Sequence, residues 1–83
     1  MNTKNYKTLQ EIFNDPVKAN INWSDIEKLF MALGAGVSEG RGSRVRISLK
    51  GVRAVFHRPH PQKETDKNTV RDVREVLRKA GIR

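Results

Sequence analysis

The sequence predicts a single α+β domain: a three-stranded antiparallel sheet with two helices on one face, in the order α-β-β-β-α, behind a short N-terminal helix. Three observations lead there. Polar and apolar residues alternate without a break on both sides of Lys50-Gly51, which is the two-residue period of half-buried strands. The segments flanking that region, near 25–33 and 67–80, instead repeat apolar residues at helical spacing. With 83 residues the chain is long enough for one domain and too short for two, so these elements share one small core.

The expected organisation is a helical leader over residues 1–22 and a main domain over residues 23–83. In the leader, Lys7 to Asn14 place Leu9, Ile12 and Phe13 on one side of a short helix. Asp15-Pro16 ends it, because the residue before proline avoids the helical region. Such a helix is expected to act as a clasp on the main body. Ser24-Asp25-Ile26-Glu27 has the pattern of a capping box, with Ser24 as N-cap and Glu27 reaching back. Ile26, Leu29, Phe30 and Leu33 follow at helical spacing and Gly34 supplies the stop, so a helix is predicted over 25–33. Trp23, just before the cap, reads as a core residue.

Residues 35–39 form a short strand with Val37 inward, and Gly40-Arg41-Gly42 makes a turn. The alternating runs Arg44 to Leu49 and Val52 to His57, joined by Lys50-Gly51, form a hairpin. The two-residue turn sets residue 49 opposite 52, 47 opposite 54, 45 opposite 56 and 44 opposite 57. One face then carries Val45, Ile47, Leu49, Val52, Ala54 and Phe56. The other carries Arg44, Arg46, Ser48, Arg53, Val55 and His57, all within cross-strand reach. A slip of one residue would bury the arginines, so the register is strongly specified.

Arg58-Pro59-His60-Pro61 is a stiff extended connector, since two prolines flank one histidine. Residues 62–68 read as a polar loop in which Asn68 or Asp66 caps the last helix. Along that helix Val70, Val73, Leu77 and Ala80 form an apolar stripe, and Lys67, Arg71, Arg74 and Arg78 form a basic stripe beside it. Both helices pack their apolar stripes on the apolar sheet face and leave the arginine face to solvent. This is the layout of double-stranded-RNA-binding domains.

Composition narrows the function. Seventeen Lys+Arg against 9 Asp+Glu give a net charge of +8, which favours polyanionic partners through counterion release. The absence of cysteine excludes disulfides, thiolate metal sites and thiol redox chemistry. His57 and His60 stand on a stiff stretch with no cluster of Asp or Glu nearby in sequence, so neither a metal nor a cofactor is expected. Gly40-Arg41-Gly42 is too short to cradle a phosphate and does not lead into a helix. No apolar run is long enough to span a membrane, and the N-terminus lacks a signal-peptide hydrophobic region, so a cytoplasmic location is expected. The five aromatic residues are too few for a base-stacking platform. No Asn or Gln accompanies the arginines on one helical face to read a DNA major groove. Recognition of RNA by charge and shape fits best.

Three landmarks occur in order: Gly42-Ser43 opening a strand, Pro59-His60-Pro61 closing the hairpin, and a last helix ending Arg78-Lys79-Ala80-Gly81-Ile82. Together they resemble the HicA toxins of bacterial toxin–antitoxin pairs, over about Trp23 to Ile82. The resemblance implies the double-stranded-RNA-binding-domain fold, metal-independent cleavage of mRNA, and silencing by a HicB-type antitoxin. That family places its catalytic histidine one or two positions after the Gly-Ser, where this chain has Arg44 and Val45. By the register derived above, His57 lies opposite Arg44 on the solvent face. The imidazole has thus shifted one strand over while staying near the same spot.

The expected site follows. His57 acts as base on the RNA 2′-hydroxyl, a role suited to imidazole as a side chain that exchanges protons near neutral pH. Arg44 steadies the charge on phosphorus, because a guanidinium fork matches phosphate oxygens. Ser43 orients the phosphate or the hydroxyl. Arg41, Arg46, Arg53, Arg58, Lys67 and Arg71 are the expected RNA-backbone contacts. The competing reading is a non-catalytic double-stranded-RNA-binding module, favoured by the arginine at the family's histidine position.

Overall fold

The computed structural model describes all 83 residues, as α1 (Thr3–Ile12), β1 (Ile21–Asn22), α2 (Trp23–Ala32), β2 (Gly36–Glu39), β3 (Arg44–Leu49), β4 (Val52–His57), β5 (Glu64–Thr65) and α3 (Lys67–Lys79). A three-stranded antiparallel sheet in the order β2-β3-β4 carries α2 and α3 on one face, and β1 pairs with β5 in a second, two-stranded sheet. This is the predicted α+β layout of the double-stranded-RNA-binding-domain type. No helix is long and apolar enough to cross a membrane.

The hairpin has the register read from its turn: Arg44 faces His57, Val45 faces Phe56, Ile47 faces Ala54 and Leu49 faces Val52. Lys50 and Gly51 both have positive φ, 49° and 82°. That is the geometry of a two-residue turn whose twist matches the strands, and glycine reaches it without steric cost. Alternation along β3 is complete: Val45, Ile47 and Leu49 are buried while Arg44, Arg46 and Ser48 are exposed.

The core gathers Val45, Ile47, Leu49 and Phe56 from the sheet, Trp23, Ile26, Leu29 and Phe30 from α2, and Val70, Val73, Val76 and Leu77 from α3. Trp23 and Phe30 both pack on Phe56, with ring centroids 5.6 and 6.3 Å away, within the range of favourable aromatic pairs. Trp23 is therefore a core residue, as its position before the helix suggested. Ile12 of α1 is completely buried in the same cluster, so the leader helix does clasp the body.

Four details differ from the sequence reading. α1 begins at Thr3 rather than Lys7, because the Asn2 side chain accepts the Asn5 N–H at 2.8 Å and caps it. It ends at Ile12, three residues before Asp15. The N-cap of α2 is Asn22 and not Ser24: its Oδ1 accepts the Ser24 N–H at 3.1 Å. Pairing of Ile21 and Asn22 with β5 holds residue 22 extended, so the helix starts immediately after it. Glu27 does not reach back to a cap; it engages Arg58 and Trp23. Finally, the polar stretch 62–68 contains β5, a two-residue strand too short to leave a periodic signature. Asp66 caps α3, with its Oδ1 accepting the Thr69 N–H at 2.7 Å.

The open sheet face as candidate nucleic-acid interface

The face of the sheet away from the helices is organised in cross-strand rows. Gly36, Ser48 and Arg53 form one row, Ser38, Arg46 and Val55 the next, and Arg44 with His57 the last. Arg44, Arg46, Arg53 and His57 are all exposed, and Val55 among them is 56 % exposed. None of the three arginines forms an ion pair. The one side-chain hydrogen bond they make within the molecule is from Arg46 Nη1 to the Glu39 carbonyl, at 3.4 Å. A groove of about 700 Å³ crosses the first two rows, lined by Gly36, Ser38, Arg46, Ser48, Arg53 and Val55 among others. The Arg44–His57 pair stands one row beyond it.

The turn between β2 and β3 positions the remaining candidates at that end. The Gly40 N–H donates to the Arg44 carbonyl at 2.9 Å, and the Arg44 N–H donates to the Arg41 carbonyl at 3.2 Å. A Cβ on Gly40 would lie 3.1 Å from that of Arg44, so glycine lets the turn fold tightly against the strand. The Arg58 N–H donates to the Ser43 carbonyl at 2.8 Å, prolonging the β3–β4 ladder by one step. Arg41, Ser43, Arg44 and His57 thus share the end of the sheet where β4 leaves and β3 enters.

Arg58 is committed elsewhere. Its Nε and Nη2 donate to the two carboxylate oxygens of Glu27 at 2.7 and 3.1 Å, and its Nη1 donates to Glu39 at 2.6 Å. The fork ties α2 to the ends of β2 and β4 in a bidentate arrangement. Arg58 holds Glu27 below its ordinary carboxylate range, the main cause, against an opposing effect of burial. Trp23 Nε1 donates a further hydrogen bond to the same carboxylate. The two acids in turn push the guanidinium still further from deprotonation.

The basic stripe of α3 also divides. Lys67 and Arg71 are exposed, but α3 packs on the opposite side of the sheet from the arginine rows. Arg74 turns toward the leader: its Nε and Nη2 donate to the Ile12 carbonyl at 3.0 and 2.8 Å, and Nη2 to that of Asn14 at 2.8 Å. It caps the C-terminal end of α1, where carbonyls lack helical partners. Arg74, Arg78 and Arg83 surround the Phe13 ring at 5.8, 5.7 and 5.1 Å, close enough for cation–π attraction. Residue spacing along α3 does not distinguish Arg74 from Arg71, since the distinction arises from a leader 60 residues away in sequence.

Chemically, the open face offers unpaired guanidinium forks, one imidazole and a nearby hydroxyl. No three His, Cys, Asp or Glu side chains converge as a metal-ligand group. No curated protein and no solved structure matches the chain. Residues 23–82 do match a family model, described as the HicA toxin of bacterial toxin–antitoxin. The match starts at the first residue of α2 and leaves α1 and β1 outside it. By that match over most of its length, the chain belongs to the HicA toxin family, and its role is that of the toxin in a toxin–antitoxin pair.

Proposed function

We propose that the chain is a metal-independent endoribonuclease that cleaves mRNA in the cytoplasm and is held silent by a HicB-type antitoxin. The observation that carries this reading is the pairing of His57 with Arg44 on an exposed face whose other arginines have no acidic partner. The RNA backbone lies across Arg46 and Arg53, with Arg41 at the turn, and the scissile phosphate is held at Arg44. His57 takes the proton of the 2′-hydroxyl. The 2′-oxygen then bonds to phosphorus while the bond to the 5′-oxygen breaks, and the departing oxygen takes a proton from solvent. Arg44 balances the charge that builds on the phosphorus oxygens, and Ser43 orients the attacking group. The products are a 2′,3′-cyclic phosphate and a 5′-hydroxyl. Lys67 and Arg71 serve a longer or folded RNA that reaches round the β4 edge. Arg58 supports the interface by bracing the strand ends. The antitoxin covers the same face with acidic groups, which match its unpaired positive charge.

The test is expression of the chain alone beside His57→Ala. Growth arrest with RNA breakdown by the unaltered chain only is the expected result, with a rate loss of about 10² to 10⁴ in vitro. Equal cleavage by both overturns the assignment of His57. RNA binding without cleavage by either chain selects the second reading, a non-catalytic double-stranded-RNA-binding module, which Arg44 at the family's histidine position favours.

A further inference from the structure

The groove across the open sheet face holds more than charge. Between Arg46 and Arg53 its lining includes Gly36, Ser38, Ser48 and Val55, three small residues and one valine that is 56 % exposed. Phosphate groups make no use of an exposed valine, whereas the face of a planar ring does. At Gly36 the floor is open for no backbone reason. Gly36 pairs with Ser48 within β2 and lacks the positive φ of Gly34, Gly42, Gly51 and Gly81. A Cβ there would meet only Ser48, no closer than 3.9 Å. Strands generally favour larger, β-branched residues. A side chain at position 36 would stand in the groove, and the glycine leaves that space free.

The two arginines flank this space at a telling separation. Arg46 pairs with Val55 and Ser48 with Arg53, so the arginines are diagonal neighbours, with Cα atoms about 7 to 8 Å apart. A flat ring in van der Waals contact on both sides needs about 7 to 8 Å between the groups that flank it. Neither arginine forms an ion pair, so no carboxylate holds its guanidinium away from the groove.

We propose that this slot takes one unpaired nucleobase of the RNA strand, stacked between the guanidinium planes of Arg46 and Arg53 with Val55 beneath it. Arginine faces serve here in a chain with few aromatic rings. A guanidinium is planar and stacks on π systems, and its in-plane N–H groups stay free for phosphate oxygens. Each arginine thus holds the base through its face and the backbone through its edge. Arg44 lies two residues along β3 from Arg46, about 7 Å away, so the stacked base belongs to a nucleotide next to the phosphate at Arg44. A duplex keeps its bases stacked within it and presents none to the slot, so the face selects single-stranded RNA. The stack reads no base edge, and recognition is tolerant of sequence. The inference rests on the reading of this face as the RNA interface, but strand binding is measurable without cleavage.

The test titrates the full chain into a fluorescently labelled 2′-O-methyl RNA strand, which lacks the nucleophilic hydroxyl and stays intact. By anisotropy, the single strand should bind about tenfold more tightly than the same strand annealed to its complement. In a series of strands with one abasic nucleotide each, the loss of the stacked base should cost about tenfold. Arg46→Lys with Arg53→Lys keeps both charges and removes both planes, so affinity should fall about tenfold with the salt slope unchanged. Gly36→Val fills the slot, and should weaken the strand by a similar factor while the melting temperature holds or rises. Equal affinity for strand and duplex, indifference to every abasic position, or full affinity in Gly36→Val or the lysine pair overturns the proposal. Full RNA affinity with weakened binding of poly-glutamate in the lysine pair overturns it in favour of an acidic protein partner. Lysine-sensitive, single-strand-selective binding by a chain that cleaves no RNA retains the slot and removes the nuclease reading. Cleavage of RNA by a lysine pair that binds as tightly as the unaltered chain does the reverse.

Discussion

Two groups of arginines in this molecule share a charge and do opposite work. Arg44, Arg46 and Arg53 stand on the open sheet face with no acidic partner. Arg58 and Arg74 are spent inside the fold, one bridging Glu27 and Glu39 and the other capping α1 through the Ile12 and Asn14 carbonyls. The first group keeps its hydrogen-bonding capacity for a partner, at the cost of mutual repulsion across the sheet. The second exchanges that capacity for cohesion between elements far apart in sequence. Net charge measures both alike, so a count of basic residues overstates the surface available to a polyanion. What marks the available set is the absence of both an ion pair and a guanidinium fork closed on helix-end carbonyls.

Substitutions separate the two groups, and the largest effect is expected on binding. Arg44→Ala combined with Arg46→Ala should lower RNA affinity by ~100-fold, about tenfold for each lost charge-assisted contact. The slope of log K against log salt should fall by about 0.7 to 0.9 per phosphate contact removed. Thermal stability should change by no more than about 0.5 kcal/mol, as for exposed sites without partners. An unchanged salt slope in fluorescence anisotropy titrations would place the RNA elsewhere.

Arg74→Ala should show the converse. Losing the cap on α1 and its contact with Phe13 should cost about 1 to 3 kcal/mol in urea unfolding, with RNA affinity per folded molecule unchanged. A loss of affinity as large as that of the sheet variant would erase the distinction drawn between the groups.

The smallest effect concerns pH. Arg58 lowers the pKa of Glu27 from 4.5, so the folded state binds the Glu27 proton less readily than the unfolded chain. That contribution to stability is fully present above about pH 4.5 and disappears as the pH falls through the lower folded value. Asp66, lowered by its Thr69 hydrogen bonds, acts in the same direction. Glu27→Gln should therefore unfold with a shallower acid dependence than the unaltered chain, the residual slope coming in part from Asp66. Identical acid profiles would show that the Arg58 fork does not stabilise the fold in solution.

Much of the architecture was legible because it is local. The hairpin register follows from a two-residue turn and a strict alternation, and any slip would bury guanidinium groups. This register alone sets His57 opposite Arg44. The apolar stripes of α2 and α3 were equally plain, as was the burial of Trp23. The small β1–β5 ladder was not, since two residues carry no period. Nor was the true cap of α2, because Asn22 and Ser24 are both good caps and the choice depends on β5 holding residue 22 extended. In the candidate site, sequence counts Arg58 among the RNA-backbone contacts, and the fold pairs its guanidinium with Glu27 and Glu39.

By itself the sequence determined which side chains share a strand face or a helix stripe, because backbone geometry imposes those periods within a few residues. Tertiary structure decided which of the like-charged side chains stay free. That choice depends on acids and carbonyls delivered from distant segments: Glu27 on α2 for Arg58, and the end of α1 for Arg74. It also decided that Thr65 of β5 is buried with its hydroxyl lacking a hydrogen-bond partner. The physical reason is range: dihedral preferences act between neighbours, whereas hydrogen-bond satisfaction is settled only when the whole chain has closed on itself.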